Sequence, residues 1–125
     1  MEALRVLIVD DEHEWVSALT ERLGLRGFAA RGVTDGEAAL ARLRADPFDV
    51  ALVDVKMPGL GGLDLVQAIK AEWPELPVIL LTGHSSARDA ERGLAMGAWD
   101  CLLKPVQIDD LVRVLRAAAR GEVTP

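Results

Sequence analysis

Four short apolar runs, each closed by a residue able to do chemistry, constrain this chain more than any other feature. Leu4-Arg5-Val6-Leu7-Ile8-Val9 ends at Asp10 and Asp11, and Val50-Ala51-Leu52-Val53 ends at Asp54. Val78-Ile79-Leu80-Leu81 ends at Thr82, and Cys101-Leu102-Leu103 is followed by Lys104. Runs of this length bounded by turn signals read as strands buried on both faces. Amphipathic stretches separate them, and the alternation is the pattern of a doubly wound α/β domain.

Taken in order, the first strand covers residues 4–9 and a helix covers about 12–25, with Trp15, Val16, Leu19 and Leu23 on one face and Gly24 or Gly27 near its end. Residues 28–31 form a short second strand. The next helix opens on Thr34-Asp35-Gly36-Glu37, which fits a capping box with Thr34 as the cap, and Asp46-Pro47 stops it. Residues 48–53 are the third strand, Met57-Pro58-Gly59-Leu60-Gly61-Gly62 is a loop, and a helix at about 63–73 turns Leu65, Val66 and Ile69 inward. The fourth strand, 77–82, precedes a second capping box, Ser86-Ala87-Arg88-Asp89, whose helix Gly97 closes. The fifth strand is 99–103. The last helix, about 108–120, buries Ile108, Leu111, Val112 and Leu115, with Asp109 and Asp110 in its first turn and Arg116 and Arg120 in its last, as the helix dipole favours. One domain over 1–121 with a short tail at 122–125 is the natural division of 125 residues.

Right-handed crossovers leave few topologies for five such units, and the strand order 2-1-3-4-5 is a favoured one. It makes strands one and three neighbours and gathers Asp10, Asp11 and Asp54 at the carboxyl edge of the sheet, where open α/β sheets bind ligands. Three carboxylates so close raise one another's pKa unless a cation intervenes, and Mg²⁺ with its oxygen ligands is the simplest remedy. Thr82 and Lys104 add a hydroxyl and an ammonium suited to phosphoryl oxygens.

Other classes fall away. A net charge of −6 with scattered Lys and Arg argues against direct nucleic-acid binding. The lone Cys101 allows no intrachain disulfide and suits a reducing cytoplasm, and the first apolar run is cut at Asp10, so neither a secretion signal nor a membrane span is expected. His13 and His84 fit no metal-ligand spacing and read as surface residues, and Gly59, Gly61 and Gly62 lack the spacing of a phosphate-cradling loop. No Ser/His/Asp or Cys/His arrangement suggests nucleophilic catalysis.

The motifs Val9-Asp10-Asp11-Glu12, Asp54-Val55-Lys56-Met57-Pro58-Gly59, Leu81-Thr82-Gly83 and Leu103-Lys104-Pro105, in this order and each after its own strand, resemble those of the receiver domain of bacterial two-component response regulators. The resemblance covers nearly the whole chain and implies a flavodoxin-like (βα)5 fold. It implies that Asp54 accepts a phosphoryl group from a sensor histidine kinase or a histidine phosphotransfer protein. It further implies direct Mg²⁺ ligation by Asp11, Asp54 and the Lys56 backbone carbonyl, with Asp10 helping through water. Thr82 and Lys104 would bind phosphoryl oxygens, and the Lys104–Pro105 peptide would be cis. The activity implied is that of a cytoplasmic signalling switch acting on a downstream protein, with self-phosphorylation and slow self-dephosphorylation as its only catalysis. A second copy of the chain is a further partner the resemblance admits.

One departure stands out. Many receivers carry Tyr or Phe three residues before the lysine, where this chain has Cys101. Trp99 falls on the same strand face as Cys101, and output is expected to rely on the Thr82 loop and the following helix. Lys56 and His84 are expected to frame the phosphoryl entrance, and Arg88, Arg92, Arg113 and Arg116 to offer contacts to an acidic partner. Two rival classes remain at this level. A metal-dependent phosphohydrolase would need a substrate pocket and a general acid, and a phosphate-independent or flavin-binding module of the same fold would not need the acid triad, Thr82 and Lys104.

Overall fold

The computed structural model describes residues 3–57, 59, 61–83 and 87–122. Five strands, β1 (Arg5–Val9), β2 (Ala29–Val33), β3 (Val50–Asp54), β4 (Val78–Thr82) and β5 (Asp100–Leu103), alternate with α1 (His13–Leu25), α2 (Gly36–Ala45), α3 (Gly62–Glu72), α4 (Ala87–Ala95) and α5 (Ile108–Ala119). All strand pairs are parallel and the order is β2-β1-β3-β4-β5. This is the flavodoxin-like doubly wound sheet expected from the sequence.

Alternation along each strand sends side chains into two separate cores. Val6, Ile8, Leu52, Ile79 and Leu81 pack with Val16, Leu19 and Leu23 of α1 and Leu111 and Leu115 of α5. Leu7, Val9, Ala51, Val53 and Leu80 pack with Ala39 and Leu43 of α2 and Leu65, Val66 and Ile69 of α3. The central strands β3 and β4 are buried at every position. β5 departs from the sequence reading of a strand covered on both faces: it is the sheet edge, and Leu103 is 51% exposed. A run of only three apolar residues marks a strand but does not say whether a neighbour covers it.

Local signals worked with small shifts. Gly27 and Gly97 take φ of 92° and 109° after α1 and α4, the left-handed conformation that closes a helix. The cap of α2 is Asp35 and not Thr34: Asp35 Oδ1 accepts from the Ala38 N–H at 2.7 Å. Asp35 is extended and Gly36 is the first helical residue, so the third amide belongs to Ala38 and the box centred on Thr34 is out of register by one. β2 extends to Val33, two residues past its predicted end, because it pairs with β1 along the full length of that strand. Pro58 and Leu60 of the loop after β3, His84, Ser86 of the second capping box and residues 123–125 of the tail lie outside the described residues.

Candidate functional site

The register of the central strands builds the site. Val9 of β1 stands opposite Val53 of β3, so Asp10 and Asp54 leave the sheet side by side. Thr82 pairs with Leu103 across β4 and β5, and the Lys104 N–H donates to the Thr82 carbonyl at 2.8 Å. Asp10, Asp54 and Thr82 are buried, whereas Asp11 is exposed. One carboxylate oxygen from each of Asp10, Asp11 and Asp54 lies within 4.8 Å of the others. The Asp10 carboxylate also accepts from the Glu12 N–H at 3.0 Å, which fixes its orientation at the entry to α1.

Lys104 faces these acids, its Nζ 2.9 Å from Asp10 Oδ2 and 3.4 Å from Asp54 Oδ1. Its pKa is raised: burial alone would lower it, but the adjacent carboxylates of Asp10 and Asp54 outweigh burial. Asp54 is pushed from 3.8 up to about 6, first by burial and next by the charge of Asp10, with Lys104 opposing and Asp11 adding. One ammonium therefore does not neutralise three acids. A hard divalent cation fits this donor set of carboxylate oxygens, which still carries excess negative charge after Lys104 is counted.

Behind Thr82, the Cys101 thiol donates to Thr82 Oγ1 at 3.7 Å, and burial raises the thiol pKa, which makes it a poor nucleophile. The Lys104–Pro105 peptide is cis. Trp99 is not at the site. Its N–H donates to the Val78 carbonyl at the amino end of the sheet, and its ring lines an open groove of about 1060 Å³ with Phe48, Trp73 and Pro77. Sharing a face with Cys101 did not mean sharing an end, since two residues span about 6.6 Å of strand. The lining of that groove lacks Asp10, Asp11, Asp54, Thr82 and Lys104. Its size carries no chemistry.

Two residues at the site escaped the sequence reading. Trp15 was expected only as a core-facing residue of the first helix, but its ring lies under Lys104, with Nζ 4.9 Å from the centroid. Its place in the first turn of the helix that leaves Asp10 and Asp11 was the available signal. Gly62 was read as loop geometry, yet a Cβ there would fall 2.3 Å from the Asp54 carbonyl oxygen and 2.6 Å from Val55 Cα. The Gly62 N–H donates to the Val55 carbonyl at 3.1 Å, so the start of α3 is pressed onto the backbone that carries Asp54. Lys56, two residues after Asp54, is exposed. Among the expected surface arginines, Arg113 pairs with Asp110, and Arg116 donates to the Arg26 carbonyl, whereas Arg88 and Arg92 are exposed on α4.

The response regulator receiver domain family matches residues 6–116, and the chain belongs to it. It is thus a signalling domain of two-component systems. The transcriptional regulatory protein TctD of Salmonella typhimurium is 38% identical over 117 residues, which cover 94% of this chain and 52% of that protein. The two-component response regulator PhoP of Pseudomonas aeruginosa is 35% identical over 117 residues, with the same coverage of 94% and 52%. The chain spans about half the length of these curated relatives. The crystal structure of the receiver domain of NtrX from Brucella abortus matches with a TM-score of 0.88 at 31% identity, covering 94% of this chain and 99% of that one. No helix among the described residues is long and apolar enough to cross a membrane.

Proposed function

We propose that this domain is a phosphorylation-dependent switch in which Asp54 accepts a phosphoryl group from a phosphohistidine on a sensor histidine kinase or histidine phosphotransfer protein. The observation that carries the reading is the convergence of Asp10, Asp11 and Asp54 with the Lys104 ammonium at one sheet edge. An Asp54 oxygen attacks phosphorus, the N–P bond breaks, and its electron pair stays on the imidazole nitrogen. With its pKa at about 6, Asp54 is largely ionised at pH 7 and ready to attack. Lys104 lies close enough to neutralise charge growing on the phosphoryl oxygens, and Thr82 offers a hydroxyl to the same group. Mg²⁺ held by Asp11, Asp54 and the Lys56 carbonyl, with Asp10 assisting, would supply further charge neutralisation.

The acyl phosphate replaces a singly charged carboxylate with a more highly charged group, which draws Thr82 and Lys104 toward it. Because Thr82 ends β4 and its carbonyl holds Lys104, both strand ends respond together. The resulting population shift would reach the surface of α4, β5 and α5, where a downstream protein or a second copy binds. Arg88 and Arg92 are the exposed cations of α4 available to an acidic partner. The receiver unit is assigned to residues 1–121, with 122–125 as a short tail and a cytoplasmic setting. Borohydride reduction of the protein after treatment with acetyl phosphate and Mg²⁺ tests the acceptor, because only an acyl phosphate converts aspartate to homoserine. Homoserine at position 54 is the expected product, and its appearance elsewhere would overturn the assignment.

A further inference from the structure

Lys104 touches more than carboxylates. Its Nζ stands over the Trp15 ring, 4.9 Å from the centroid, while also lying 2.9 Å from Asp10 Oδ2 and 3.4 Å from Asp54 Oδ1. The ring is itself fixed: Trp15 packs on the core shared by α1 and α5 and borders a cavity of about 320 Å³ with Pro105, Val106 and Ile108. A cation over an indole face is attracted by the ring quadrupole, more strongly where water is partly excluded. A lysine has many rotamers, and a wall that restricts them before the ligand arrives lowers the cost of ordering on binding.

We propose that Trp15 is a positioning residue for Lys104, its ring face holding the ammonium at the acid cluster so that Trp15 sets how fast Asp54 is phosphorylated. The proposal rests on Asp54 being a phosphoacceptor. The ring takes no part in bond making. It keeps the cation where the phosphoryl oxygens will be, at a site where the chain also holds Asp10 and Asp54 within ion-pair distance. The competing role is packing alone, in which Trp15 only fills space between α1 and the segment after Lys104.

Rates of phosphorylation by acetyl phosphate at saturating Mg²⁺ separate the two roles. Trp15→Leu is expected to slow phosphorylation about three- to tenfold, the range a cation–π contact supports, with Trp15→Phe recovering most of the rate. In a Lys104→Met background, Trp15→Leu is expected to add no further loss. An unchanged rate in Trp15→Leu, or the same loss in both backgrounds, would overturn the proposal. A second readout needs no phosphodonor: in the Trp73→Phe/Trp99→Phe protein, Lys104→Met is expected to shift Trp15 emission. Unshifted emission would show that the ammonium does not sit on the ring and would overturn the proposal too. A protein that takes no phosphoryl group would overturn the phosphoacceptor reading and with it any role of Trp15 in rate, whereas the emission result would still decide the contact.

Discussion

Replacing Asp54 with Asn removes a charge that the metal-free fold holds at a cost, and it is expected to stabilise the protein. The carboxyl is raised from 3.8 to about 6, chiefly by burial and then by Asp10. A raised carboxyl pKa means that the folded state binds the proton more tightly than the unfolded chain. Its stabilising contribution is therefore complete below pH 3.8 and is lost as pH rises through about 6. At pH 7 the ionised group costs at most about 3 kcal/mol. That cost is already net of the attraction of Lys104, 3.4 Å away, so the gain expected is about 1–3 kcal/mol. Urea denaturation in EDTA at pH 7 measures it. At pH 5 the wild-type carboxyl is mostly protonated when folded, and the gain is expected to shrink by about 1.4 kcal/mol. Adding Mg²⁺ stabilises the wild-type protein more than the variant and closes the gap. A variant no more stable than wild type at pH 7 in EDTA, or a difference independent of pH, would refute the charge account of this site.

Three further outcomes follow from particular contacts. Gly62→Ala is expected to cost about 2–4 kcal/mol in urea denaturation, because the new methyl meets backbone at Asp54 and Val55 that cannot yield cheaply; a loss under 0.5 kcal/mol would contradict the close approach (about the scatter of surface substitutions). Asp35→Ala is expected to lower stability by about 1 kcal/mol and Thr34→Ala by much less, and the reverse order would return the cap of α2 to Thr34. Lys56, exposed two residues after Asp54, is expected to hinder the water that attacks the acyl phosphate. Lys56→Asn then speeds dephosphorylation several-fold, measured by loss of phosphoprotein after the phosphodonor is removed, whereas an unchanged decay rate would exclude that role.

Much of the fold was legible because central parallel strands must be apolar on both faces, and β1, β3 and β4 are. The residues closing those runs then had to meet at one edge, and Asp10, Asp11 and Asp54 do. What escaped depended on distances that periodicity does not carry. Cys101-Leu102-Leu103 looked like any other run, but among the described residues no strand lies beyond β5 in the sheet order. Thr34 and Asp35 are both good caps, and only the backbone at Gly36 chose between them. Trp15 and Trp99 could be placed on faces from the sequence, yet which end of the sheet each ring serves needed the packing of α1 and β5. The need for Gly62 arose from the approach of α3 to the Asp54–Val55 backbone, a contact between two elements.

The central claim, that this acid cluster is a metal-assisted phosphoacceptor site, is tested most directly by intact mass after incubation with acetyl phosphate and Mg²⁺. The Asp54→Asn variant and an EDTA-treated sample serve as controls. A single phosphoryl adduct on the wild-type protein, absent from both controls, is the result expected. An adduct that survives in Asp54→Asn or in EDTA, or no adduct on the wild-type protein, would contradict the account.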